Sequence, residues 1–146
     1  MSPEIATTEK GNVYLVWTDK NTTTGDSDIT FRNSNDQGRD FHRTINLNKG
    51  ENEETNSTFP QLVATQNDTV YVVWTDNHIQ FKEILLNDSL VGNPILISNK
   101  TASSFSPQIV GTKNGNFFVV WIDRDNSNDT SLHFKRISQK YFDRNS

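Results

Sequence analysis

The chain has 146 residues, a formal net charge of −4 and a hydrophobic content of 32%. This length suits one domain, and the mild charge without a basic stripe makes nucleic acid a poor candidate partner. The absence of cysteine excludes disulfides, thiolate metal sites and thiol nucleophiles. No apolar stretch reaches membrane-spanning length, and no apolar leader precedes the first motif.

An eighteen-residue phrase is repeated three times without gaps, at 2–19, 59–76 and 106–123. Each copy has Pro at its second position, an aliphatic residue at its fourth, an apolar run at positions twelve to sixteen and Asp at its end. Self-similarity at a period of about 50 residues indicates a repeat architecture, in which one supersecondary unit is copied because it cannot bury its own apolar surface.

The apolar runs are VYLVW, VYVVW and FFVVW, and they end at Trp17, Trp74 and Trp121. They are β-branched or aromatic, five residues long and bounded by polar or Gly-containing turns, which favours strands over helices. A strand that is apolar on both sides needs cover on both faces of its sheet. We therefore predict small sheets stacked on one another, as in a propeller or a β-solenoid, and we expect the tryptophans to lie in the core.

In chain order, repeat one predicts strands at 2–9, 13–18, 29–33 and 42–47. Repeat two predicts strands at 61–65, 70–74, 79–83 and 94–98, and repeat three at 108–112, 117–122 and 132–136. The polar end of the chain leaves the fourth strand of repeat three incomplete. The predicted units are 2–50, 59–100 and 106–146 of one domain.

The turn between the third and fourth strands of repeat one, SNDQGRDF at 34–41, resembles the Asp-box of the sialidase and BNR-repeat family, Ser-x-Asp-x-Gly-x-Thr-Trp. Ser34, Asp36 and Gly38 match, Asp40 replaces the Thr, and Phe41 stands for the Trp. The resemblance implies an all-β, sialidase-like β-propeller of four-stranded antiparallel blades, with three blades in this chain. It also implies a structural role for the box, away from any active site.

For catalysis, the resemblance implies an arginine cluster, a Tyr/Glu nucleophile pair and an acidic residue drawn from several blades. No Tyr of this chain matches the nucleophile by motif, and Arg32 and Arg136 lie at aligned strand positions of the repeat. No catalytic residue is therefore carried over, and we expect no enzyme activity from this chain alone.

A calcium loop is a further candidate, because Asp123, Asp125, Ser127 and Asp129 place oxygen ligands at alternate positions. The Gly and Glu that complete such a loop are missing, so a solvated hairpin is the favoured interpretation. The three histidines occupy different repeat positions and show no metal-binding spacing.

Three blades cannot close a ring, since propellers have about four to eight. The chain is therefore either a segment of a longer propeller or half of a six-bladed ring closed by homodimerisation, and we expect the homodimer. Six Asn-x-Ser/Thr triplets hint at an extracellular or cell-surface protein; they begin at Asn21, Asn56, Asn67, Asn87, Asn99 and Asn128. The expected function is a non-catalytic scaffold or recognition module for a glycan or protein ligand. The alternative is a fragment of a sialidase-type glycoside hydrolase.

Overall fold

In a computed structural model, the chain forms three antiparallel sheets with the strand orders β1-β2-β3-β4, β5-β6-β7-β8 and β11-β10-β9. The structure describes residues 2–48, 56–85, 93–112 and 116–138. None of these segments is a helix of the length and apolarity needed to cross a membrane. The strands are β1 Glu4–Thr7, β2 Val13–Lys20, β3 Ser27–Ser34, β4 Ile45–Asn46, β5 Thr58–Ala64, β6 Thr69–Asp76, β7 His78–Leu85, β8 Ile95–Leu96, β9 Ser103–Gly111, β10 Asn116–Arg124 and β11 Thr130–Ser138.

The three apolar runs form the second strands β2, β6 and β10, as the repeat predicts, and each pairs with both of its chain neighbours. The first strands β1, β5 and β9 contact one another, so the sheets fan outward from them. We call the sheets blades 1, 2 and 3. The incomplete fourth strand predicted for blade 3 falls on 139–146, outside the described residues.

Two apolar cores lie between the blades, one at each junction. Strand β6 contributes to both cores, because alternate side chains such as Trp74 and Tyr71 point to opposite neighbours. Its residues are buried from Thr69 to Thr75, which confirms burial on both faces for the middle blade. In β2 and β10, buried and less buried positions alternate, because only one face of each outer blade is covered.

A bulge explains why β5 and β9 begin three to five residues before their predicted starts at 61 and 108. Phe59 and Ser106, each followed by the proline of the repeated phrase, have φ of 52° and 54°. The strand register shifts at both places, so that two residues oppose one on the neighbouring strand. The proline lies inside the strand, at a bulge where its missing N–H breaks no ladder bond.

A lysine of the third strand links each blade to the one before it. Lys82 is only 6% exposed, and its ammonium donates a hydrogen bond to the carbonyl of Leu47, just beyond β4 of blade 1. Burial lowers the pKa of Lys82 to about 8. In blade 3, the Nζ of Lys135 donates to the carbonyl of Ile97 at 3.4 Å, in the corresponding place beyond β8. The same polar link therefore recurs at both junctions.

Candidate functional site

The candidate features lie at the two ends of the blades, which the antiparallel topology separates. The β1–β2 and β3–β4 turns and their counterparts lie at one end, which we call the box end. The β2–β3, β6–β7 and β10–β11 turns lie at the other end, where β4 and β8 end and β5 and β9 begin, and we call it the crossing end. The Asp-box candidate and the calcium-loop candidate are therefore on opposite sides of the molecule.

The Asp-box turn of blade 1 is held by its own polar groups. The hydroxyl of Ser34 donates to Oδ1 of Asp36 at 2.6 Å and accepts the N–H of Gly38 at 3.0 Å. Oδ1 of Asp36 also accepts the N–H groups of Arg39 and Asp40, both at 3.0 Å. Gly38 has a φ of 82°, a conformation that glycine adopts without steric cost. The box side chains serve the turn itself.

Phe41 is half-buried beneath Arg32. The Arg32 guanidinium lies 5.7 Å from the centre of the Phe41 ring. It also donates from Nη2 to the carbonyl of Phe41 and from Nε to the carbonyl of His42, both at 3.0 Å. Arg32 thus braces the start of the outer segment of blade 1, so its donors are turned toward the fold rather than toward a ligand.

We expect Asp36→Ala to lower the melting temperature by a few degrees at pH 7. The bond from the Asp40 N–H, followed by that from the Ser34 hydroxyl, holds the pKa of Asp36 below its ordinary value. A carboxylate with a lowered pKa stabilises the fold above about pH 4 and loses that contribution as the pH falls through its folded pKa. The gap between wild type and variant should therefore close in acid.

Thermal unfolding followed by circular dichroism between pH 7 and pH 2 measures this gap. Asp40→Ala is the matched control, because Asp40 is exposed and contributes its backbone N–H to the box. A gap that stays constant in acid, or an equal loss in the control, would contradict the assignment.

The four calcium-loop candidates point in different directions. Asp123 is 4% exposed within β10, whereas Asp125 lies in the hairpin, where its Oδ1 accepts the N–H groups of Ser127 at 2.8 Å and Asp129 at 3.0 Å. Within the described residues, no three His, Asp or Glu side chains come close enough to hold a metal ion. The hairpin is closed by its own carboxylate.

Asp123, His133 and Ser131 form a chain of contacts that resembles a nucleophile triad in composition only. The Oγ of Ser131 is 2.9 Å from Nε2 of His133, and Oδ2 of Asp123 is 3.4 Å from the same nitrogen. A relay needs the base to use one ring nitrogen for the nucleophile and the other for the carboxylate. Since both contacts share Nε2, this cluster cannot pass a proton from serine to aspartate through the ring.

Blade 2 contains a Tyr–Glu contact that no sequence motif indicates. The hydroxyl of Tyr71 donates to Oε1 of Glu83 at 2.8 Å across the β6–β7 pair. Tyr71 is 0% exposed, and its ring lies 4.0 Å from that of Phe117 in blade 3. The pair combines the residue types of a sialidase nucleophile, but the Tyr71 side chain is buried in the junction, while Glu83 is half-buried.

A second cluster that sequence reasoning missed joins blades 1 and 2 at the box end. Asp68 accepts hydrogen bonds from Lys10 at 3.1 Å, Asn12 at 2.6 Å and Tyr14 at 3.2 Å. Partial desolvation acts to raise the pKa of Asp68, but these bonds outweigh it and the pKa lies below its ordinary value. Burial, assisted by Asp68, raises the pKa of Tyr14 to about 12. One feature of the sequence could have indicated this cluster: in the aligned repeats, Asp68 occupies the position of Gly11 in the first copy.

Two of the three tryptophans are core residues, one in each junction. Trp74 and Trp121 are 0% and 5% exposed, as expected from their place at the end of the apolar runs. Trp17 is half-buried on the uncovered side of blade 1. Burial leaves Trp74 and Trp121 no free face for stacking on a sugar. The expected core position is wrong for Trp17, because no described blade packs on its side of blade 1.

The sequence matches no family model and no curated protein, but its structure resembles several solved propellers. A Hadza microbial sialidase matches 94% of this chain with 35% of its own, at a TM-score of 0.73 and 10% identity. A protein of unknown function from Dyadobacter fermentans matches 89% of this chain with 36% of its own chain, at a TM-score of 0.66 and 7% identity. A family-43 endo-arabinanase from Bacillus licheniformis matches 92% of this chain with 50% of its own chain, at a TM-score of 0.59 and 13% identity.

These likenesses confirm the predicted fold, a partial β-propeller of the sialidase-like kind. The chain spans about a third to a half of the solved chains that it matches. Three blades are too few for a closed ring, so the half-propeller calls for completion by other blades.

Proposed function

We propose that this chain is a non-catalytic recognition module of an exported or cell-surface protein, and that two copies pair into a six-bladed ring. One observation carries the pairing: Leu132 and Phe134 are 75% and 63% exposed, although their counterparts in blade 2 are covered. The ligand is a glycan or a protein held by the loops of the ring.

The trailing face of a blade is the side that packs on the next blade. In blade 2 it consists of Tyr71, Val73, Ile79 and Phe81, all of which are at most 1% exposed beneath blade 3. The repeat places Phe118, Val120, Leu132 and Phe134 at the same positions of blade 3. The rings of Phe118 and Phe134 stack at 5.7 Å, and none of the described blades covers the face that they form. Soluble monomers avoid apolar patches of this kind.

The leading face is the opposite side, which packs on the preceding blade. In blade 2 it consists of Leu62, Val70, Val72 and Trp74, and these pack against blade 1. Their counterparts in blade 1 are Ile5, Val13, Leu15 and Trp17. Ile5 is 65% exposed and the other three are half-buried. Blade 1 therefore presents the surface that blade 3 lacks.

A second copy fits this pair of faces. The trailing face of one copy and the leading face of another repeat the side chains that are already buried at the two internal junctions. A two-fold axis makes two identical junctions and closes a ring of six blades. The chain matches half of an endo-arabinanase chain, which agrees with completion of the ring by further blades.

The proposed absence of catalysis is supported by the state of the candidate groups. The Tyr71 side chain of the Tyr71–Glu83 pair is buried beneath blade 3, although Glu83 is half-buried, and the Ser131–His133–Asp123 contacts share one nitrogen. The side chains of Arg32 and Arg136 bond within their own blades, Arg136 to Asn116 at 3.0 Å.

Export is supported by the positions of the Asn-x-Ser/Thr triplets. Asn21, Asn56, Asn67, Asn99 and Asn128 are all exposed, as a glycosylation acceptor must be. Asn87 lies outside the described residues.

The alternative function is that of a glycoside hydrolase fragment, and it is favoured by the structural matches to a sialidase and to a family-43 enzyme. In that case, blades outside this chain would supply the missing catalytic groups.

Two measurements on the purified chain test the proposal. Light scattering at micromolar concentration should give twice the 16.7 kDa mass of one chain, and a monomer would overturn the ring. A fluorogenic sialoside should show no turnover, with an active sialidase as the positive control. Turnover would overturn the non-catalytic role and support the glycoside hydrolase.

A further inference from the structure

A polar cleft of about 410 Å³ opens at the crossing end, between blades 2 and 3. Its walls are the β6–β7 turn, the segment that leads into β9 and the β10–β11 hairpin. The volume falls within the roughly 300–1,000 Å³ of small-molecule sites. We propose that this cleft binds an acidic sugar, with Arg124 and Lys100 holding the anionic group and the neighbouring amides holding the hydroxyls.

The charges around the cleft favour an anion. Lys100, Arg124 and His78 line it together with one acid, Asp125. The Arg124 guanidinium lies 5.0 Å from the centre of the Phe105 ring, a cation–π contact that restrains the side chain before any ligand arrives. Oδ1 of Asp125 accepts two N–H groups of its own hairpin, and the lining has two cations, Lys100 and Arg124, against this one anion. The cleft is therefore a basic spot on a chain whose net charge is −4.

The neutral groups around the cleft suit hydroxyls rather than apolar surface. Asn77 and Asn126 supply amides, and Ser103 supplies a hydroxyl that donates to Oδ1 of Asn77 at 3.4 Å. Amides and hydroxyls both donate and accept, as sugar hydroxyls require. Nδ1 of His78 is shielded from solvent and makes no hydrogen bond within the described part of the chain. Such an atom is costly unless something pairs with it.

An acidic sugar satisfies both sets of groups at once. Its anionic group would pair with the Arg and Lys side chains, and its hydroxyls would hydrogen-bond to the amides. An apolar ligand would leave all of these groups unpaired. The choice of ligand rests on the proposed recognition role. The site itself lies within one chain, so it stands or falls separately from the ring.

Isothermal titration of the full chain tests this with four probes: glucuronic acid, glucose 6-sulfate, glucose and inorganic sulfate. We expect one or both acidic sugars to bind at least about tenfold more tightly than glucose, because hydrogen bonds to an ionised group are stronger than those between neutral groups. Preference between the two acidic sugars identifies the anion as a carboxylate or a sulfate. Equal binding of all sugars, no binding, or inorganic sulfate binding as tightly as the sugars would overturn the proposal.

Arg124→Ala and Lys100→Ala should each weaken binding of the preferred acidic sugar by about tenfold. Lys20→Ala is the matched control, because Lys20 is an exposed cation at the same end of the fold but in blade 1. Unchanged affinity in both cleft variants, or an equal loss in the control, would overturn the assignment. Sugar binding by a chain that light scattering shows to be monomeric would retain this site and reject the ring.

Discussion

Phe134→Asp should convert the proposed dimer into a monomer. In blade 2 the counterpart Phe81 is 1% exposed beneath the next blade, whereas Phe134 is 63% exposed in one chain. Burying such a side chain contributes about 1.5–3 kcal/mol, and a closed ring contains the junction twice. Losing both contacts should raise the dimer Kd by roughly 10²–10⁴-fold, before the cost of burying a carboxylate is added.

Analytical ultracentrifugation over a concentration series measures this Kd. Ile5→Asp, on the leading face, should have a similar effect, because each junction joins one leading face to one trailing face. Leu85→Asp is the control, since Leu85 is 41% exposed but lies on the middle blade.

Mixing the two variants distinguishes a head-to-tail ring from other dimers. A pair formed by one Phe134→Asp chain and one Ile5→Asp chain keeps one junction with both wild-type faces, so the mixture should recover part of the dimer. If blade 3 instead packs on blade 3 of its partner, Ile5→Asp has no effect and mixing rescues nothing. Either of those results would reject the proposed ring.

Trp74→Ala should cost about 3–5 kcal/mol of the free energy of unfolding, the range for truncating a buried aromatic side chain. Trp74 is 0% exposed and packs in the core between blades 1 and 2. Since domains are stable by only about 5–15 kcal/mol, this one change threatens the whole fold. Urea unfolding followed by tryptophan fluorescence and circular dichroism measures the loss.

Trp17→Ala is the matched control for Trp74→Ala, because Trp17 holds the same repeat position on the uncovered side of blade 1. Both substitutions should be made in the Phe134→Asp background, so that pairing between chains does not add to the stability. We expect less than half of the Trp74 effect. Equal losses in the free energy of unfolding would mean that packing between two blades does not make Trp74 more important for stability than Trp17.

The sequence predicted the central strands well because their information is local. Five consecutive apolar residues ending at Trp74 require cover on both sides, whatever the rest of the fold does. The ends of the strands were less predictable. The outer strand β4 has two residues, Ile45–Asn46, within the six predicted, because an edge segment with few ladder bonds leaves little trace in the hydrophobic pattern.

The polar features also divide into local ones, which the sequence predicts, and long-range ones, which it does not. The Asp-box was visible in the sequence because Ser34, Asp36 and Gly38 act within one turn. The bonds from Tyr14 to Asp68 and from Tyr71 to Glu83 join residues that are 54 and 12 positions apart. Contacts of this kind depend on how strands and blades meet, which a linear motif does not record. The cleft between blades 2 and 3 could not be predicted from the sequence for the same reason.

The lysine links at the two junctions have a consequence for how blades could be added to such a chain during evolution. Lys82 carries the donor to the carbonyl of Leu47, and Lys135 carries it to that of Ile97. Blades 2 and 3 therefore each bring a donor for the preceding blade, and blades 1 and 2 each offer an acceptor to the next. A gene duplication that appended one more copy would dock by the same bond, without compensating changes elsewhere, which makes the number of blades easy to alter during evolution.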